Sequence, residues 1–222
     1  MNVKKYIIIL LFITALLGAF GIVNRGSYTN LTSQENYLDH FFVGELPGEL
    51  AQMHVKSMKS NLPSCRFIFS VVSAGELENM FHTCRQKVCV KQVFKGDILS
   101  GDEVYITSGR WFIDIDTEYP ERTISRGFVN ILQPDKEYLV FCEDKITSWF
   151  NIPVYKLYEE SLIAPVFCYE VIENVIVPSV DGKSTYVPYE QVKENEFFGY
   201  DEEALDAWVD LKGTMLQLYS QA

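Results

Sequence analysis

The chain has 222 residues, a mass of 25.5 kDa and a formal net charge of −11; 48% of its residues are hydrophobic and 14% aromatic. That length suits one domain, or one domain with an appendage. The aromatic content excludes an intrinsically disordered chain, the acidity excludes a nucleic-acid binder driven by bulk positive charge, and five cysteines fall short of a disulfide scaffold.

The apolar fraction is uneven. Lys4 and Lys5 precede an uncharged run of 18 residues, Tyr6 to Val23, which as a helix would cover about 27 Å, the reach of a hydrocarbon core. The basic flank predicts the N-terminus inside and residues 24–222 outside. A single-pass transmembrane anchor over 1–23 is the expectation, because the run outlasts a signal-peptide core. Cleavage after Gly21, with Ala19 and Gly21 as the small-x-small pair, is the alternative and would give a secreted protein. Beyond Val23 the acids outnumber the basic side chains by 13. That excess disfavours anionic lipid surfaces. Membrane contact is therefore expected only through residues 6–23, and a protein or a glycan, not nucleic acid, is the expected partner.

Residues 24–34 read as a polar tether. Residues 35–64 read as helical: Leu38, Phe41 and Phe42 fall at helical spacing, Gly44 breaks the run, and Pro47 suits a first helical position. Leu50, Met53 and Met58 continue an apolar stripe. From Cys65 the pattern turns to strands. Residues 67–72 and 83–94 flank a turn at Ala74-Gly75-Glu76, and 104–107, 111–116 and 138–142 follow. Residues 165–172 and 174–177 read as later strands, with a turn at Gly182. Many short strands without strong helices between them predict a mainly β, α+β chain: an OB-like antiparallel β-barrel over 65–199, flanked by helices. Residues 200–222 form the last helix. Asp201 caps it, Glu202 and Glu203 occupy its first turn, and Leu205, Trp208, Leu211, Met215 and Leu218 form one stripe.

The stretch Val88-Cys89-Val90-Lys91-Gln92-Val93-Phe94-Lys95-Gly96 runs a strand into Lys-Gly, and Gly101-Asp102-Glu103-Val104-Tyr105-Ile106 starts the next. Leu132-Gln133-Pro134-Asp135-Lys136-Glu137-Tyr138-Leu139-Val140-Phe141 comes later. In order and spacing these segments resemble the netrin-like or tissue-inhibitor-of-metalloproteinase-like OB module, including versions in exported bacterial proteins. The resemblance runs from Cys65 to Cys142, with Pro134-Asp135 where the family has Gly. It implies a fold rather than a mechanism. The family's inhibitors act through an N-terminal Cys amine, whereas Cys65 lies inside the chain and its nitrogen is an amide.

Cys65, Cys84, Cys89, Cys142 and Cys168 all lie beyond the apolar run. Export would permit a disulfide between Cys65 and Cys84 or Cys89; the alternative is buried thiols packed as small hydrophobes. A Cys–His nucleophile would draw on Cys84 or Cys89 with His82, His40 or His54, and the pair Cys84 and His82 shares a strand face. No hydrolase, zinc-protease or P-loop pattern accompanies it. Asp114, Asp116 and Glu118 would project from one face of an extended segment and are the metal candidates, with Arg110, Arg122 and Arg126 as competing partners. Glu190 to Asp210 holds eight acids and one lysine, a solvated face or a protein-docking patch. Tyr186, Tyr189, Phe197, Phe198 and Tyr200 lie beside it, as core or as an aromatic recognition site. The expected role is a non-enzymatic binding or interaction module of the cell envelope that needs no cofactor. The alternatives are an extracytoplasmic enzyme using the Cys/His pair and a structural subunit of an envelope complex.

Overall fold

The computed structural model describes residues 3–27, 42–45, 48–80, 83–108, 113–115, 122–124, 131–146, 152–160, 163–177 and 186–221. The chain divides into two compact units, 1–37 and 38–222. The first contains helix α1 (Val3–Ser27). Its described side chains, those of Tyr6, Ile7 and residues 9–22, are all exposed. Among the described residues no helix is long and apolar enough to cross a membrane. The transmembrane helix expected as part of the fold is corrected accordingly.

The second unit is α+β. Its main sheet has six strands in the order β2-β3-β4-β8-β7-β9: β2 (Phe67–Met80), β3 (Thr83–Lys95), β4 (Glu103–Ser108), β7 (Glu137–Ile146), β8 (Val154–Leu157) and β9 (Val166–Cys168). A smaller sheet, ordered β10-β1-β6-β5, joins β1 (Phe42–Gly44), β5 (Ile113–Ile115), β6 (Arg122–Ile124) and β10 (Tyr186–Pro188). Helices α2 (Gly48–Asn61), α3 (Tyr189–Val192) and α4 (Glu202–Leu218) complete the unit.

The expected OB-like antiparallel barrel is corrected to this mixed sheet. Tyr105, Ile106 and Thr107 of β4 run parallel to Val154, Tyr155 and Lys156 of β8, and β9 adds a sixth strand against Tyr138–Val140 of β7. β2, at one end of the order, also pairs with β7. Side-chain alternation reports which face a residue takes but not which neighbour its strand meets or in which direction. A parallel pair joined by a long connection therefore leaves no local mark in the sequence.

Two smaller corrections follow. Phe42–Gly44 is a strand inside the segment expected to be helical, held by β10 on one side and β6 on the other; tertiary pairing overrides helical spacing there. The expected turn at Ala74-Gly75-Glu76 lies within β2, where the β2–β3 register shifts between Ser73 and Leu77. Buried Gln86 on β3 stabilises that irregularity. Its Nε2 donates to Ser73 Oγ, the Gly75 carbonyl and the Leu132 carbonyl at 3.0–3.1 Å, and its Oε1 accepts from Leu132 N–H.

The turn expected at Gly182 lies outside the described residues, and the Lys-Gly strand end is a bend. Gly96 has φ of +108°, and a Cβ there would lie 2.5 Å from Phe67 Cδ1, so only glycine fits. Asp135, where the netrin-like pattern has Gly, takes a positive φ of 62°, a conformation Asp tolerates better than most residues.

β2 and β7 bury side chains on both faces: Phe67, Ile68, Phe69 and Val71 face the interior with Leu139, Val140 and Phe141. Tyr155 meets Phe67 and Phe69 edge-on at 5.0 and 5.5 Å, a favoured aromatic geometry. α4 contributes Leu205, Trp208, Leu211 and Met215 to the core, against Ala51, Val55 and Met58 of α2. Leu218, expected on that stripe, is exposed.

Candidate interaction surface

Asp201 starts α4 and organises its surroundings. Its Oδ1 accepts from Ala204 N–H at 2.8 Å, and its Oδ2 accepts from Gly48 N–H at 3.2 Å. One carboxylate thus caps α4 and meets the first residue of α2, satisfying donors that helix N-termini leave open. Glu45 lies nearby. It is 1% exposed, and among the described residues neither carboxylate oxygen has a hydrogen-bond partner, nor does the buried Trp208 Nε1. Burial, reinforced by the charge of Asp201, pushes the Glu45 carboxyl from 4.5 up to about 8.

A second polar cluster fixes the other side of α4. Glu196 and Lys212 form a buried ion pair at 2.5 Å. Glu196 Oε1 also accepts from Cys168 N–H at 2.7 Å, and Lys212 Nζ donates to the Glu170 carbonyl at 2.7 Å. Burial raises the Glu196 pKa, while Lys212 and the Cys168 N–H pull it back. Two asparagines extend the cluster. Asn195 Oδ1 accepts from Val175 N–H at 2.9 Å, and its Nδ2 donates to the Val175 carbonyl at 2.7 Å. Asn174 Oδ1 accepts from the N–H groups of Glu196 and Phe197 at 2.8 and 3.0 Å. Together these bonds hold residues 170–177 beside α4.

The result is a helix flanked by two open grooves. The first, about 1050 Å³, lies between α2 and α4. It carries both signs of charge: Lys59 pairs with Asp210 at 2.5 Å, Gln52 donates to Glu203 at 2.6 Å, and Lys56 lies alongside. The second, about 510 Å³, lies between α4 and residues 172–176. Ile172, Asn174, Ile176, Leu205 and Val209 line it, with Glu202 and Asp206 as its charged residues and no basic side chain among the described residues. Val209 and Val175 are each 49% exposed and Val171 is 98% exposed.

The sequence-derived candidates separate. All five cysteines are free thiols. Cys65 precedes the strand end where Ile68 meets Lys95, Cys89 lies opposite Val72, and Cys84 lies opposite Asn79. The ladder thus spreads the three along its length rather than within the ~5.5 Å a disulfide needs. Burial pushes both the Cys65 and Cys84 thiols up to about 12, so each stays protonated near neutrality, the opposite of an activated nucleophile. His82 and His40 lie outside the described residues; His54 is on α2. Asp114 pairs with Thr123 through its backbone, while Asp116 and Glu118 fall outside the described residues. Among the described residues no cluster of three His, Cys, Asp or Glu side chains could hold a metal. Of the aromatic group, Tyr189, Phe197 and Phe198 are buried core, and Tyr200 is exposed.

Sequence reasoning missed Glu45, Lys212 and the two asparagines. Lys212 left a signal, because it falls on the core stripe of α4 four residues after Trp208. Asn174 and Asn195 left none. No known family model matches the chain, and no curated protein matches it significantly.

Glu45 gives a pH prediction. Its pKa is higher folded than unfolded, so the folded state binds the extra proton. Stability should fall as pH rises from about 4.5 to about 8, by up to about 1.4 kcal/mol per pH unit, and then level off. Glu45→Gln should flatten that decline in urea titrations. An unchanged slope would show that Glu45 titrates normally.

Proposed function

We propose that the protein is an extracytoplasmic, non-enzymatic interaction module that docks a basic protein partner on α4. The observation that carries this reading is the second groove: apolar side chains under Glu202 and Asp206, with no cation among the described residues that line it, although the two acids also border the first groove with Lys56 and Lys59. Neither acid makes a hydrogen bond or ion pair among the described residues. By contrast, Glu203 and Asp210 on the same helix are engaged by Gln52 and Lys59 of α2. Unpaired acids beside exposed apolar surface favour a partner with Lys or Arg next to apolar side chains. The raised thiol pKa values weigh against the Cys/His enzyme reading.

The localisation rests on α1. Leu10, Leu17, Phe20 and Ile22 are among its exposed apolar side chains, and apolar surface on that scale favours removal from water. We infer that this segment directs residues 24–222 out of the cytoplasm, either remaining attached to the membrane or being cut after Gly21.

A photo-cross-linker at Val209 in cells should capture a protein of basic isoelectric point. Glu202→Lys with Asp206→Lys should abolish that capture while lowering the unfolding free energy by no more than about 2 kcal/mol, the cost of reversing a charge in the first turn of α4. Undiminished capture in the charge-reversed variant would contradict the docking reading. Separately, protease added to the outside of intact cells, or a search of the medium, should find residues 24–222; a chain fully protected inside cells would contradict the export reading.

A further inference from the structure

The docking groove has one wall made of unpaired backbone. Residues 171–177, Val-Ile-Glu-Asn-Val-Ile-Val, run without helix, turn or bend and belong to neither sheet. From Val171 to Val175 the side chains alternate as in a strand: Ile172 and Asn174 line the groove and are half-buried, whereas Val171, Glu173 and Val175 are exposed; Ile176 also borders the groove but is 37% exposed. In an extended chain the N–H and C=O of one residue point to the same edge, and those of the next residue point to the other. The Asn195 amide occupies both groups of Val175, so one edge is clamped. The opposite edge belongs to residues 172, 174 and 176. Among the described residues it makes one bond, a long 3.4 Å contact from Asn174 Nδ2 to the Ile172 carbonyl. This is a β-rich, apolar strand edge held in place by side chains and left without a neighbour.

We propose that this edge takes an added β-strand from the partner protein. The added segment is extended, and along its groove-facing side, which takes every second residue, apolar side chains alternate with Lys or Arg. This deepens the docking reading above and rests on it. A strand laid beside residues 172–176 shares their groove-facing side. Its apolar side chains cover Leu205 and Val209, and its cations reach Glu202 and Asp206. The backbone bonds supply affinity and the alternate side chains supply selectivity. The acidic groove selects against a second copy of this acidic chain and for a basic segment.

The test uses the full chain in detergent and a labelled nine-residue Lys–Val peptide, in which Val and Lys alternate at every second position with Thr between them. The same peptide with every backbone nitrogen methylated, and a Glu–Val peptide with Glu in place of each Lys, serve as controls. The Lys–Val peptide should bind, slow amide exchange at Asn174 and Ile176 at least tenfold, and lose at least tenfold in affinity on methylation. Ile176→Pro, which removes one edge donor, should weaken binding similarly; Glu202→Lys should do so without touching the edge. Equal binding of methylated and unmethylated peptides would overturn strand addition and leave the docking reading standing. Failure of the Lys–Val peptide to bind better than the Glu–Val peptide would overturn both. A dimer of the chain that dissociates on peptide addition would place a second copy on the edge and overturn the proposed partner.

Discussion

The surface that gives this protein its proposed role depends on one buried ion pair. Glu196 and Lys212 meet at 2.5 Å in the interior, and their remaining bonds reach Cys168 and Glu170. Together they join the end of β9, the segment after it and the middle of α4. Taking two charges out of water is expensive, and their attraction offsets that cost only when the leftover polar atoms are also satisfied. Here they are, because the carboxylate receives a backbone N–H and the ammonium reaches a backbone carbonyl. Removing either partner strands the other, so the pair specifies where α4 sits as much as it stabilises the fold.

The asparagine clamp builds outward from that pair. Asn174 and Asn195 bond each other's neighbouring backbone, which sets residues 171–177 extended and parallel to the groove without pairing them in a sheet. Hydrogen bonding that would ordinarily come from a neighbouring strand comes from side-chain amides on one edge only. α4 is likewise two-sided. Trp208, Leu211 and Met215 are buried, and Glu202, Asp206 and Val209 face outward. At its N-terminus Asp201 satisfies donors of both α2 and α4, while buried Glu45 stands beside it uncompensated. α4 is therefore held differently along its length: by a satisfied ion pair at its middle, whereas its N-terminus is crowded by two carboxyl groups.

Much of this was legible where the determinants are local. Asp201 capping, the acids of the first turn and the stripe from Leu205 to Met215 announce α4. Alternation announces β3 and β4, and continuous apolar runs announce β2 and β7. The glycine at position 96 announces a bend whose positive φ the structure shows. What could not be read depends on distant partners. β1 has three residues and exists only through β10 and β6. Gly75 reads as a turn, yet Gln86 draws it into β2 as an irregularity. The parallel β4–β8 pair, which turns an expected antiparallel barrel into a mixed sheet, has no signature in either strand. The acidic stretch 190–210 was visible as charge, but Glu196 inside it looked like its exposed neighbours. Only the placement of Lys212 on a core stripe hinted that one acid would be buried.

The most direct test of this account is a double-mutant cycle on Glu196 and Lys212, using Glu196→Gln, Lys212→Met and the pair in denaturant titrations. Each single change should cost about 3 kcal/mol, and the double variant should recover at least about 2 kcal/mol relative to their sum. Strictly additive losses would mean that the two side chains do not couple, and that something other than this ion pair holds α4 against the 166–177 segment.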